Sequence, residues 1–193
     1  HGWLGVRLQV TPGGPPSDIV LHVRMLDQDA RAQQEALGVL GVNLIYGAFN
    51  HSHSPEKLIE SLADDLSGGA SAGSDRIEID MIAFSGPAFA GCENRLLNLH
   101  LIRSWLTRAI MFDPDGQVVQ PGEALHRKDV LAVRSNFRPA TRRHEDMFRA
   151  GLAAFGGHSE DVLPVAEMTM ATVMEDGDRV DNADFLARVD SLT

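Results

Sequence analysis

Hydrophobic and polar positions alternate most regularly in two stretches. In residues 18–25, Val20, His22 and Arg24 fall on one side and Ile19, Leu21, Val23 and Met25 on the other. In residues 76–84, Arg76, Glu78 and Asp80 share one side and Ile77, Ile79 and Met81 the other. A period of two marks a strand with one face in a core. Residues 3–10 read as a third strand. The segment after it, 11–16, holds three prolines and two glycines, so neither helix nor central strand can form there.

The period then lengthens. Residues 30–49 read as a long buried helix, with Asp27 as a plausible N-cap. Its three glycines, Gly38, Gly41 and Gly47, would cost roughly 1 kcal/mol each in a helix interior, so they point to close packing or a break. Ser54 and Pro55 open a short amphipathic helix over 56–66. Residues 67–74, rich in Gly, Ser and Ala, read as a flexible loop. Residues 93–108 form a helix with Leu96, Leu97, Leu99, Leu101, Ile102, Trp105 and Leu106 as its apolar positions. Asp113, Pro114, Asp115 and Gly116 are a turn between two short strands, 110–112 and 117–119.

Beyond a soft boundary at 121–128 the pattern changes. Residues 129–133 read as a strand buried on both faces, as parallel strands are. A helix follows over 145–155, with Met147, Phe148, Leu152 and Phe155 turned inward. Residues 161–169 are a strand that Pro164 places at an edge, and 181–192 a last helix. Met168, Met170 and Met174 read as core. Helices and strands in alternation predict an α/β protein. It has an α+β module with a mixed or antiparallel sheet over 1–126, then a partial, Rossmann-like parallel unit over 127–193. A first residue His1 and a helical pattern running to the end suggest a piece of a longer chain.

Composition narrows the function classes. The 193 residues are 44% hydrophobic and 23% charged, as in a soluble globular protein. The formal charge of −10 argues against non-specific binding to nucleic acid or to an anionic membrane. A lone cysteine, Cys92, makes an internal disulfide and a cysteine-based zinc site impossible, and fits a cytoplasmic location. The most apolar run, 37–49, is about 13 residues, too short to span a bilayer.

Charge is also unevenly distributed. Residues 127–149 carry Arg127, Lys128, Arg134, Arg138, Arg142, Arg143 and Arg149 against Asp129, Glu145 and Asp146, a net of +4, whereas the rest of the chain is at −14. This island lies where a strand turns into a helix. Free N–H groups at a helix start attract anions, and guanidiniums grip phosphate oxygens in pairs. Arg134, Asn136, Arg138, Arg142 and Arg143 are therefore candidate ligands for a phosphorylated molecule, a nucleotide first among them.

The run Ser135, Asn136, Phe137, Arg138, Pro139, Ala140, Thr141, Arg142, Arg143, His144 resembles the first signature of the nucleotidyltransferase superfamily, which includes nicotinate-nucleotide and pantetheine-phosphate adenylyltransferases. Phe137, Pro139, Thr141 and His144 match. Ser135, Arg138 and Arg143 stand where Gly, Asp and a second Gly are usual. The resemblance implies that Thr141 and His144 contact phosphates and stabilise a transferring adenylyl group, usually with magnesium. Residues 1–9, 42–49 and 133–139 also resemble segments of a longer bacterial family whose members carry the label nicotinate-nucleotide adenylyltransferase or TonB-dependent receptor. The second label does not suit long buried helices.

A second constellation would form if the two alternating strands were neighbours: His22, Arg24, Glu78 and Asp80 would then share a patch, with His51 and His53 in a loop able to reach it. Such a patch can bind a divalent ion or do acid–base work, and is equally the ordinary wet face of an antiparallel sheet. The rival to ligand binding is a non-catalytic sensing or assembly module that uses apolar surface to dimerise or dock. Arginines paired with the chain's many carboxylates would favour that rival.

Overall fold

The three alternating segments pair with one another. The chain is described here by a computed structural model, which covers residues 1–66, 75–155, 162–175 and 179–193; the loop expected at 67–74 lies outside these. Strands β1 (Gly2–Leu8), β2 (Ser17–Met25) and β3 (Ile77–Ser85) form an antiparallel sheet in the order β1-β2-β3. In β2 Ile19, Leu21 and Val23 are buried and Val20 and Arg24 exposed, as the alternation predicts, but His22 on the outer side is buried as well. In β3 it does not. His22 is opposite Met81 and Val23 opposite Ile79, so Asp80 is an extra, bulged residue. Beyond it Ile82 and Phe84 take the inner positions, and Met81 is only half-buried, against expectation.

Three helices cover the inner face of this sheet. Helix α1 (Ala30–Asn50) contributes Ala36, Leu40, Leu44 and Ala48; α2 (Pro55–Ser61) contributes Leu58 and Ile59; α3 (Asn94–Arg103) contributes Leu97 and Leu101. The N-cap of α1 is Asp29, whose side chain accepts from Ala32 N–H at 2.9 Å; Asp27 instead pairs with Arg76 at 2.8 Å. One of the three helix glycines has its reason here. A Cβ on Gly47 would lie 3.0 Å from Leu58 Cγ and from Ser61 Oγ, so α1 and α2 need a bare backbone there.

Helix α3 stops at Arg103, five residues short of expectation. Trp105 takes a left-handed φ of 57° and is exposed, while Leu106 turns into the core. The free side of β3 is closed by asparagines one helical turn apart. Asn94 bonds both the N–H and the C=O of Phe84, and Asn98 does the same for Ile82. This α3 edge does the work of a fourth strand. Strands β4 (Met111–Phe112) and β5 (Val118–Val119) form the expected hairpin.

The chain divides into two units, His1–Phe112 with Gln117–Pro121, and Asp113–Gly116 with Gly122–Thr193. A short helix, α4 (Pro121–Ala124), lies at the changeover. In the second unit, β6 (Asp129–Arg134) and β7 (Val162–Glu167) run parallel, with α5 (Arg142–Ala154) between them in sequence. This is a small α/β unit of generic Rossmann-like type. Gly151 lets α5 lie on β6, since a Cβ there would meet Leu131 at 2.7 Å. Then follow α6 (Met170–Val173), the pair β8 (Met174–Glu175) and β9 (Arg179–Val180), and α7 (Asn182–Asp190).

The expectation that β6 is buried on both faces fails. Only Val133 is buried, and Val130 is exposed, because among the described residues this sheet has only two strands. Met147 and Phe155, expected inside, are exposed as well.

Candidate functional site

The β6–α5 turn is built around Phe137. Its side chain is fully buried, its backbone takes φ 42°, and its ring lies 4.7 Å from that of His144. Thr141 is the N-cap of α5, which therefore starts three residues earlier than the sequence suggested. His144 closes the cap in the manner of a capping box. Its Nδ1 accepts from Thr141 N–H at 2.9 Å, so the neutral ring donates from Nε2 to Ser135 Oγ, 3.0 Å away. Thr141 and His144 are thus brought together, but both ring nitrogens of His144 are engaged in holding the turn.

The arginines divide into two groups. Arg134 forms a two-point pair with Glu167 across the parallel strands, at 3.1 and 2.8 Å, and Glu167 raises its pKa. Arg138 bonds Asp184 of α7 at 2.9 Å. Asp184 also holds Arg188, a residue the sequence reading passed over. The Arg188 guanidinium is 3% exposed, and it donates to Thr172 O at 2.6 Å and, more weakly, to Asn136 O at 3.5 Å. Burial pushes the Asp184 carboxyl up, but Arg188 and Arg138 outweigh it and hold its pKa below the usual value. The side chains of Asn136, Arg142 and Arg143 are exposed. Arg142 and Arg143 sit in the first turn of α5 with no ion-pair partner among the described residues. Glu167 and Asp184 are both held by guanidiniums.

The second constellation does assemble. Arg24 bonds Glu78 at 3.0 Å across the β2–β3 pair, and Thr107 Oγ1 donates to the same carboxylate at 3.1 Å. The bulge turns Asp80 under His22, whose Nδ1–H donates to Asp80 Oδ1 at 2.7 Å. Gln120 Nε2 donates to the other carboxylate oxygen at 2.9 Å. The far nitrogen of His22 is 3.2 Å from His1 Nδ1, and Trp3 lies edge-on at 5.0 Å. All three of His22, Asp80 and Gln120 are buried. His51 packs edge-on against Tyr46 of α1 at 5.8 Å rather than joining this patch. Among the described residues no three His, Cys, Asp or Glu side chains are grouped to hold a metal ion. Cys92 is half-buried, and burial together with Glu56 pushes its thiol pKa up, away from a nucleophile's.

A third feature escaped the sequence reading, which treated α1 as buried. Its outer face carries Val42, Ile45, Tyr46 and Phe49, which are 66%, 64%, 54% and 86% exposed. From Ala36 to Pro55 the chain has no Asp, Glu, Lys or Arg. Gly38 and Gly41 share this side of the helix, with nothing within 4 Å of where a Cβ would stand. The signal was present as an apolar set at 38, 42, 45 and 49, a second stripe beside the one that enters the core.

Compared with models of protein families, with curated proteins and with solved structures, the chain matches none. The resemblance to the nucleotidyltransferase superfamily and to the longer bacterial family is thereby overturned. At residues 135–144 the shared letters serve a buried Phe137 and a capped helix start. The largest sheet among the described residues has three strands and is no barrel. No described helix is long and apolar enough to cross a membrane.

Proposed function

We propose that this protein works as an assembly module, docking through the outer face of α1. The observation behind this reading is the exposure of Val42, Ile45, Tyr46 and Phe49 on the part of α1 beyond the exposed Arg31–Glu35 pair, where residues 36–55 carry no formal charge, in a chain with net charge −10. A contiguous apolar patch of this kind is costly to leave in water, and in native proteins it marks a contact surface. The arginine pairs point the same way. Two of the five residues expected to hold phosphate spend their charge on Glu167 and Asp184. A cytoplasmic setting suits the half-buried free thiol of Cys92. Binding of a dye that fluoresces in apolar surroundings tests the reading. The dilute chain should bind it, and Ile45→Glu should abolish binding without changing the melting temperature. Equal binding by both would end the proposal.

Arg142 and Arg143 support a second reading, in which the start of α5 binds the phosphates of a nucleotide or another phosphorylated small molecule. Both guanidiniums are exposed beside the end of a parallel strand, where α/β units commonly take ligands. In this reading magnesium enters on the nucleotide's phosphates rather than on a carboxylate of the chain. Millimolar ATP or pyrophosphate should then raise the melting temperature, and Arg142→Ala with Arg143→Ala should remove the shift. No shift in the parent chain excludes it.

A further inference from the structure

Two glycines of α1 have no explanation within one copy of the chain. Gly47 makes room for α2, but Gly38 and Gly41 face open space. Each costs the helix roughly 1 kcal/mol relative to alanine. On the same face, one end of the stripe carries the most exposed aromatic side chain of the helix, Phe49, and the other end carries the hollow at Gly38. Bulk at one end and a hollow at the other, on one stripe, is the pattern of a surface that fits its own inverted copy.

We propose that α1 pairs antiparallel with α1 of a second copy about a two-fold axis passing between Asn43 and Leu44. This rests on the docking role proposed above and names the partner. The register follows from spacing. Gly38 and Phe49 are equally far from that midpoint, and so are Val42 and Ile45. Inversion therefore seats each Phe49 over the partner's bare Gly38 backbone and interleaves Val42 and Ile45 at the axis. Gly41 keeps the flank thin enough for close approach, and Tyr46 lies at the rim, where its hydroxyl keeps water. A two-fold contact of this kind is self-complementary by construction.

Area and charge both allow it. Taking roughly 200 Å² for a fully exposed large side chain, the exposed fractions of Leu37, Val42, Ile45, Tyr46 and Phe49 amount to about 600 Å² per copy, or about 1,200 Å² for the pair. That clears the ~1,000 Å² expected of a specific interface. Two chains of net charge −10 repel each other, and this face is where they meet without opposing like charges, since 36–55 carries none.

Sedimentation of the full chain over a dilution series tests the pairing. The parent should be a dimer whose dissociation constant rises at least about 100-fold in Ile45→Glu. Gly38→Phe should weaken it comparably while leaving the monomer's melting temperature unchanged, since its side chain meets nothing in its own copy. Cysteine pairs fix the register in a Cys92→Ser background. Gly38→Cys mixed with Phe49→Cys should give a disulfide-linked heterodimer on oxidation, and neither should link to itself, because like positions would lie about 16 Å apart. Self-linking at position 38 would show a parallel pair and overturn the proposal, as would a dimer indifferent to Gly38→Phe. A monomer that still binds the apolar dye through α1 would overturn self-pairing while leaving the docking role intact. A monomer that binds no dye would end both.

Discussion

The two units of the chain are held together by different means. In the unit built on β1–β3, aliphatic side chains from the sheet and from α1, α2 and α3 merge into one layer that includes Leu21, Leu40, Leu58, Ile79 and Leu101. The unit built on β6 and β7 buries Val133, Phe137, Val162, Val173, Phe185 and Val189 among its described residues, and with them a guanidinium, Arg188. A lean core leaves backbone groups unprotected, and a buried arginine with several N–H donors can tie them together. Arg188 joins the carbonyls of Asn136 and Thr172 to the carboxylate of Asp184. Where apolar side chains are scarce, charge enters the internal structure, as Arg188 does here.

The difference is broken most severely at Arg188. Arg188→Ala leaves Asp184 short of a partner and two carbonyls without donors, and should destabilise the second unit by about 3–5 kcal/mol. Hydrogen exchange should then quicken across β6, α5 and α7 and remain slow in β2 and β3. Equal loss in both units would refute their separate dependence. Acid should act on the same tie. The Asp184 carboxyl has a folded pKa below its unfolded value, so its contribution is present above pH ~4 and is lost as pH falls through the folded pKa. Exchange protection in the second unit, corrected for the pH dependence of the intrinsic rate, should fall on acidification, and Asp184→Asn should remove that dependence.

Much of the first unit was legible in the sequence, because its strands face water on one side and a core on the other. Residues 18–25 carry that signature plainly; α1 was legible as a long helix, but its exposed stripe was not, because the apolar run 37–49 supplies both faces. The Asp80 bulge was not legible, since an extra residue shows itself only against its partner strand, and it alone places Asp80 under His22. In the second unit the parallel pairing of β6 and β7 was legible, but the expected burial on both faces was not met, because among the described residues this sheet has only two strands. Of the site, Thr141 and His144 were singled out, and the structure brings them together as a cap. Arg188 had a signal that went unread. It stands four residues after Asp184 and within the apolar stripe of Phe185 and Val189, where a charge must find a buried partner.

The first unit has its own polar tie, and breaking it should cost less. Asn98 is fully buried and bonds both backbone groups of Ile82, while Asn94 does so for Phe84. Asn98→Ala strands one N–H and one C=O of β3, an expected loss of about 2–3 kcal/mol. The effect should appear in denaturant unfolding and as faster exchange at Ile82, with α5 unaffected. Asn98→Asp sharpens the point, because a carboxylate can accept from Ile82 N–H but cannot donate to its carbonyl and would be buried without a cation, so it should recover none of the loss.

The smallest expected effect lies at the turn that first suggested phosphate chemistry. If His144 serves the helix start, His144→Ala should cost about 1 kcal/mol, the usual worth of a cap, and His144→Gln should restore much of it by accepting again from Thr141 N–H. The loss should show as a small drop in the melting of the second unit, with fraying confined to the first turn of α5. Ser135→Ala removes the partner of Nε2 and should cost no more. A much larger loss at His144 would mean that its ring contact with Phe137, 4.7 Å between centroids, carries the turn, and that the histidine belongs to the lean core rather than to the cap.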